Sequence, residues 1–182
     1  LIDHKKLQLI KSFGTKQWDG NLREFIRSNQ NLSRLQLRER PISMVPVTLP
    51  DGSSIYLSSG GQNKLIKKIV EDFCPRFTPG GKIVYIGDAG EKISEHELIY
   101  FRSLGLNIDP HGKMPDIVVD MPEKKWLVLI EAVTSHGPVD IKRYNELKDL
   151  FRSENYGLVF VTAFETRKTM NKYLSEIAWE TE

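Results

Sequence analysis

Two acids, Asp116 and Glu131, occupy runs in which the fold can bring their side chains together. Pro115–Asp120 and Lys125–Val133 are rich in β-branched and apolar residues, and Met121–Lys124 joins them, so the pair reads as a hairpin. Folding it about the middle of Glu123 and Lys124 sets Val118 against Leu129, Asp120 against Leu127 and Asp116 against Glu131. Side chains directly opposed on neighbouring strands have β-carbons about 5 Å apart. Val118, Leu127 and Leu129 share that face, leaving little water to screen two carboxylates, so both cannot ionise there unaided. A divalent cation removes the repulsion, and Mg2+ is commonly held by one or two carboxylates, waters and substrate phosphate oxygens. Two other outcomes stay open: a one-residue slip in register turns one acid to the opposite face, or either acid meets a lysine at the strand end.

The elements that position this hairpin follow from periodicity. Leu65, Ile66, Ile69, Val70 and Phe73 form a helical stripe ending at Cys74-Pro75, and Lys82–Gly87 is a short strand. Ser94 and Glu97 have capping-box spacing before a helix through Leu98 and Phe101 that stops near Gly105. After the hairpin, Pro138 opens a helix with Ile141, Tyr144, Leu147 and Phe151 inward. Tyr156–Thr162 is a buried strand, and Met170, Tyr173, Leu174 and Ile177 mark a last helix. The order α, β, extra helix, β, β, α, β, α predicts an α/β fold, a mixed sheet covered by helices on both faces. In front of it, residues 5–37 read as short helices. Val45, Val47 and Leu49 alternate before Pro50-Asp51-Gly52, with Ile55 and Leu57 after, which predicts a second hairpin. Helices followed by a hairpin match the end of a winged-helix module or an irregular cap on the main domain.

With 182 residues, 40% hydrophobic and 27% charged, the chain can bury a sizeable core and is no disordered tail. Its longest apolar run, Trp126–Ile130, is too short to cross a bilayer. A single cysteine, Cys74, excludes an internal disulfide or a cysteine zinc site, so a reducing compartment, by default the cytoplasm, is expected. Positive charge is concentrated in front: residues 1–60 carry nine Lys and Arg against five Asp and Glu, although the whole chain is nearly balanced at 26 against 24. Arg23, Arg27, Arg34, Arg38 and Arg40 suit phosphate contacts or a solvated helix face. A start at Leu1 and an end at Glu182 without a terminal element suggest part of a longer protein.

Pro115-Asp116 followed by Glu131-Ala132-Val133 resembles the signature of the PD-(D/E)xK nuclease superfamily, whose shared core is also helix, three strands, helix, strand. Longer strings are more specific: Leu57 to Phe77 (LSSGGQNKLIKKIVEDFCPRF), Tyr85 to Lys92 (YIGDAGEK), His111 to Val118 (HGKMPDIV), Ile130 to Pro138 (IEAVTSHGP) and Ile177 to Glu182 (IAWETE) resemble the BsuBI/PstI family of type II restriction endonucleases. The likeness implies a PD-(D/E)xK catalytic domain at 57–182. It makes 1–56 the end of a helical, DNA-binding N-terminal domain and implies a chain that continues past IAWETE. It further implies Mg2+, cleavage of both strands of the palindrome CTGCAG by a homodimer, and a companion methyltransferase that protects the host.

Carried over by position, Asp116 and Glu131 would ligate the metal, with the backbone carbonyl of Ala132 as a further oxygen ligand. The superfamily places a lysine two residues after the glutamate, whereas this chain has Val133, so a positive group must come from elsewhere. Lys142, early in the following helix, is the first candidate for that catalytic role and Lys113 the second; an ordinary solvated lysine is the alternative for each. Lys92, Lys113, Ser135, His136 and Arg143 are the candidate DNA contacts. Asp88 or Glu91 could lend the site another carboxylate, and Glu71 stands where some superfamily members hold an acid. The rival reading keeps the fold and removes the catalysis: a DNA-binding module whose missing lysine marks an inert site. Gly87-Asp88-Ala89-Gly90 lacks the third glycine of a nucleotide loop, and Ser135, His136 and Asp140 make no convincing triad.

Overall fold

The computed structural model describes residues 10–15, 17–21, 23, 44–88, 93–134 and 137–182. Two compact units emerge, residues 1–44 and 45–182. In the first, the ring of Phe13 meets Trp18 edge-on at 4.9 Å. Most of the helices expected over 5–37, with Arg27, Arg34, Arg38 and Arg40, lie outside the described residues.

The second unit begins with the hairpin of β1 (Val45–Thr48) and β2 (Ser54–Leu57). Its turn closes where the sequence places it, with Gly52 at φ 83° and the Asp51 carboxylate accepting from the Ser53 N–H. This hairpin lies within the second compact unit, ahead of the expected boundary at 56/57. Alternation turns Val45, Val47 and Leu57 inward, where they join Leu65, Ile66 and Val70 of the following helix in one apolar cluster. Glu71 strengthens the joint by accepting from the Thr48 N–H at 2.9 Å and from Lys67 Nζ at 2.7 Å. It therefore serves the hairpin, not the acid pair.

That helix, α1 (Gly61–Lys68), runs through a π-helical stretch at Ile69–Phe73 into α2 (Cys74–Phe77). Then come β3 (Lys82–Ile86), α3 (Glu95–Ser103), β4 (Ile117–Met121), β5 (Trp126–Val133), α4 (Ile141–Leu150), β6 (Gly157–Phe164) and α5 (Arg167–Tyr173). The capping box at Ser94 and Glu97 is formed in both directions. Sheet order is β3-β4-β5-β6, antiparallel except for the parallel pair β5 and β6. Ile117, Val119, Val128, Ile130 and Val161 face α1 and the hairpin, while Val118, Leu127, Leu129 and Phe160 pack with Phe101, Leu147 and Phe151. Apolar residues on both faces are what the order of elements requires: a mixed sheet with helices on each side. Among the described residues no helix is long and apolar enough to cross a membrane.

Tyr144, Leu147 and Phe151 pack inward as expected, but Ile141 opens α4 exposed and Arg143 is buried beside Leu147. The Asp140 side chain caps this helix by accepting from the Arg143 N–H at 2.7 Å, which fixes where the first turn begins.

Candidate functional site

The hairpin of β4 and β5 has the expected register: Ile117 pairs with Ile130, Val118 with Leu129 and Asp120 with Leu127. One step beyond the last ladder pair, Asp116 stands across from Glu131. The Asp116 carbonyl accepts from the Gly87 N–H at 2.8 Å, so the backbone of this residue is turned toward β3. Antiparallel pairing alternates, and the hydrogen-bonding edge of Ala132 therefore faces the segment that carries Asp116. Its N–H donates to Asp116 Oδ2 at 2.7 Å. Pro115, opposite it, has no N–H to give the Ala132 carbonyl.

The two acids line one cleft, and the Asp116 charge bears on Glu131. Asp116 Oδ1 also accepts from Gln62 Nε2 at 2.6 Å. Glu131 Oε1 accepts from Arg143 Nε at 2.7 Å and lies 2.6 Å from Nη2. The same guanidinium donates through Nη1 and Nη2 to the carbonyls of Lys113 and Met114, each at 2.9 Å. Arg143 thus ties Glu131 to the two residues that lead the chain into Pro115-Asp116. Its side chain is only 10% exposed and that of Glu131 18%.

Burial dominates the electrostatics of both acids. It pushes Glu131 up to about 7; Arg143 opposes this, the Asp116 charge adds to it, and Lys113 opposes it more weakly. Asp116 is raised as well, burial again outweighing the Ala132 N–H and the Gln62 amide. A consequence for stability follows. Between its ordinary 4.5 and about 7, native Glu131 keeps a proton that the unfolded chain has released, so metal-free stability falls as pH rises across that window. Thermal melting in a chelating buffer is expected to give a lower midpoint at about pH 8 than at about pH 5 from this contribution, and Asp116→Asn to flatten the difference. A rise in midpoint over that range, undiminished in the variant, would contradict it.

The acids line a cleft of about 540 Å³ with Gln62, Lys113, Lys142 and Arg143. Beyond Asp116 lies a second lobe of about 740 Å³, lined by Ser58, Gln62, Asn63, Asp88, Lys113 and Thr134. The sequence-predicted cations divide between these places. Lys142 reaches the cleft mouth, but its side chain is 83% exposed and its Nζ lies 3.8 Å from Glu146, so the cation that meets Glu131 is Arg143. Arg143, also expected as a DNA contact, spends its donors within the protein. Lys113 stands at the rim of both lobes. Val133 is buried at 2%, confirming that the strand position of the lysine holds an apolar side chain. Asp88 accepts from the Ser58 N–H and from Asn63 Nδ2, both at 2.7 Å, and anchors the start of α1 instead of joining the acid pair. Lys92, Ser135, His136 and Glu91 lie outside the described residues.

These residues fit a hard divalent cation. Two crowded carboxylates in the cleft, with the Ala132 backbone beside them, offer oxygen ligands of the kind such an ion takes. Few protein oxygens leave coordination positions for water and phosphate.

Comparison with known proteins places the chain in one family. Residues 45–182 match the BsuBI/PstI restriction endonuclease domain. The chain is 47% identical over 181 residues to the type II restriction enzyme BsuBI of Bacillus subtilis, covering 100% of this chain and 57% of that protein. It is 30% identical over 190 residues to the type II restriction enzyme AplI of Arthrospira platensis, covering 99% and 57% respectively. Among solved structures, the SdaI restriction endonuclease aligns with a TM-score of 0.71 and 43% identity over 99% of this chain and 57% of that one. The chain therefore spans little more than half the length of these relatives.

Proposed function

The chain belongs to the BsuBI/PstI restriction endonuclease family, and from that membership we propose that it carries the catalytic domain of a type II enzyme making double-strand cuts in DNA. The target by family likeness is CTGCAG, and the cofactor is Mg2+. The observation that carries the reading is that the register of β4 and β5 sets Asp116 and Glu131 side by side in one cleft. Asp116, Glu131 and the Ala132 carbonyl would hold the ion, which would supply water activation and charge stabilisation at the phosphoryl oxygens. The Ala132 N–H orients Asp116, while Arg143 orients Glu131. A guanidinium does not release its proton near neutral pH, so Arg143 acts as fixed charge and not as a base.

Lys113 and Thr134, at the rim, suit contacts to the phosphate backbone, with Lys142 at the mouth. Lys92, Ser135 and His136 remain proposed contacts of the same kind. A palindromic target calls for a two-fold partner, so the working protein is a homodimer on double-stranded DNA. It acts in the cytoplasm beside a methyltransferase that protects the host.

The decisive experiment incubates full-length protein and Mg2+ with linear DNA bearing one CTGCAG, beside the same DNA with that site scrambled. Two fragments from the first substrate, none from the second and none with chelator are expected. Intact DNA throughout would overturn the nuclease reading and favour the inert DNA-binding module, whereas Mg2+-dependent cutting elsewhere would overturn the target alone.

A further inference from the structure

Gln62 is the one neutral side chain described in the cleft whose polar end meets an acid of the pair, and nothing in the strand signature points to it. It lies in the first turn of α1, exposed, on the boundary between the two lobes. Its placement is fixed by its neighbour. Asn63 is 5% exposed and donates through Nδ2 to Asp88 Oδ1 at 2.7 Å, to the Ser58 carbonyl at 2.8 Å and to Ser58 Oγ at 3.0 Å. The turn that begins α1 is thereby pinned to the loop after β3, and Gln62 is presented to Asp116 from the side opposite Ala132. Asp116 is gripped at both oxygens: Ala132 N–H on Oδ2 and the Gln62 amide on Oδ1.

A carboxylate free to rotate about its last bond offers an ion a poorly defined target, and ordering it on arrival costs entropy. Two donors remove that freedom beforehand. A lysine at position 62 would do so with a full positive charge opposing the ion, whereas an amide donates without net charge. We propose that Gln62 is a positioning residue of the nuclease centre, holding Asp116 in the orientation in which it receives the divalent ion. This rests on the reading of Asp116 and Glu131 as the ion-binding pair.

The test uses full-length wild type, Gln62→Leu and Gln62→Glu. Mn2+ is titrated without DNA and followed by the rise in melting temperature; cleavage kinetics in Mg2+ are measured separately. Gln62→Leu is expected to raise the Mn2+ midpoint about fivefold to tenfold and to lower kcat about tenfold to a hundredfold, leaving KM within about twofold, as for other groups that orient metal ligands. Gln62→Glu sets a third carboxylate against Asp116 and is expected to lower the Mn2+ midpoint. Opposite movement in two variants of an exposed side chain is not what a merely structural role produces. Unchanged Mn2+ midpoints, or looser Mn2+ binding by Gln62→Glu, would overturn the proposal and leave the acid pair standing. A wild type that does not respond to Mn2+ would overturn both.

Discussion

Asp116→Asn and Glu131→Ala are each expected to reduce cleavage at least about a thousandfold, roughly 4 kcal/mol in the barrier, because one acid holds the ion poorly. Their effects on stability separate. Glu131→Ala leaves the Arg143 guanidinium buried without its carboxylate, a change of the kind that costs about 3 kcal/mol. Asp116→Asn removes a charge that crowds Glu131 while keeping an oxygen for the Ala132 N–H, so the metal-free variant should melt higher than wild type at about pH 8. Single-turnover cleavage and melting on the same preparations check both halves. Retained cleavage in either variant, or midpoints that fall together, would show that the carboxyls are not the coupled pair described.

Arg143→Lys is the second large effect. The charge is conserved, but a lysine ammonium offers one point of contact where the guanidinium spans Glu131 and the carbonyls of Lys113 and Met114. Two part-buried carbonyls lose donors and a carboxylate loses its fork, so stability is expected to fall by about 2 kcal/mol. Cleavage should fall about tenfold to a hundredfold, since the segment leading to Asp116 is no longer tied to Glu131. Affinity for cognate DNA measured in Ca2+ should stay within about twofold of wild type, because the guanidinium faces inward. A large loss of DNA affinity with unchanged melting would return Arg143 to the role of a backbone contact.

The acid pair was legible because strand alternation and a short turn fix register within a few residues of each other. Shifting Val118, Leu127 and Leu129 by one position would have emptied an apolar face. The cation was not legible. Hydropathy favours Ile141 as an inward residue, yet the Asp140 cap sets the helical phase so that Arg143 and Leu147 face the sheet. A buried arginine has no signature until its acceptors, two carbonyls and a carboxylate distant in sequence, are placed around it. Gln62 is hidden for the same reason, being 54 positions from the aspartate it holds. The first hairpin was legible as a hairpin, but its packing partner was not, because alternation shows that one face is covered but not by what.

Pro115 keeps the central sheet one rung short, and that omission has a cost in rigidity as well as a use. Every amino acid except proline would offer the Ala132 oxygen a neighbour from the main chain and continue the ladder outward. A further rung there would brace the sheet edge, and it would also occupy the oxygen that the proposed ion needs open.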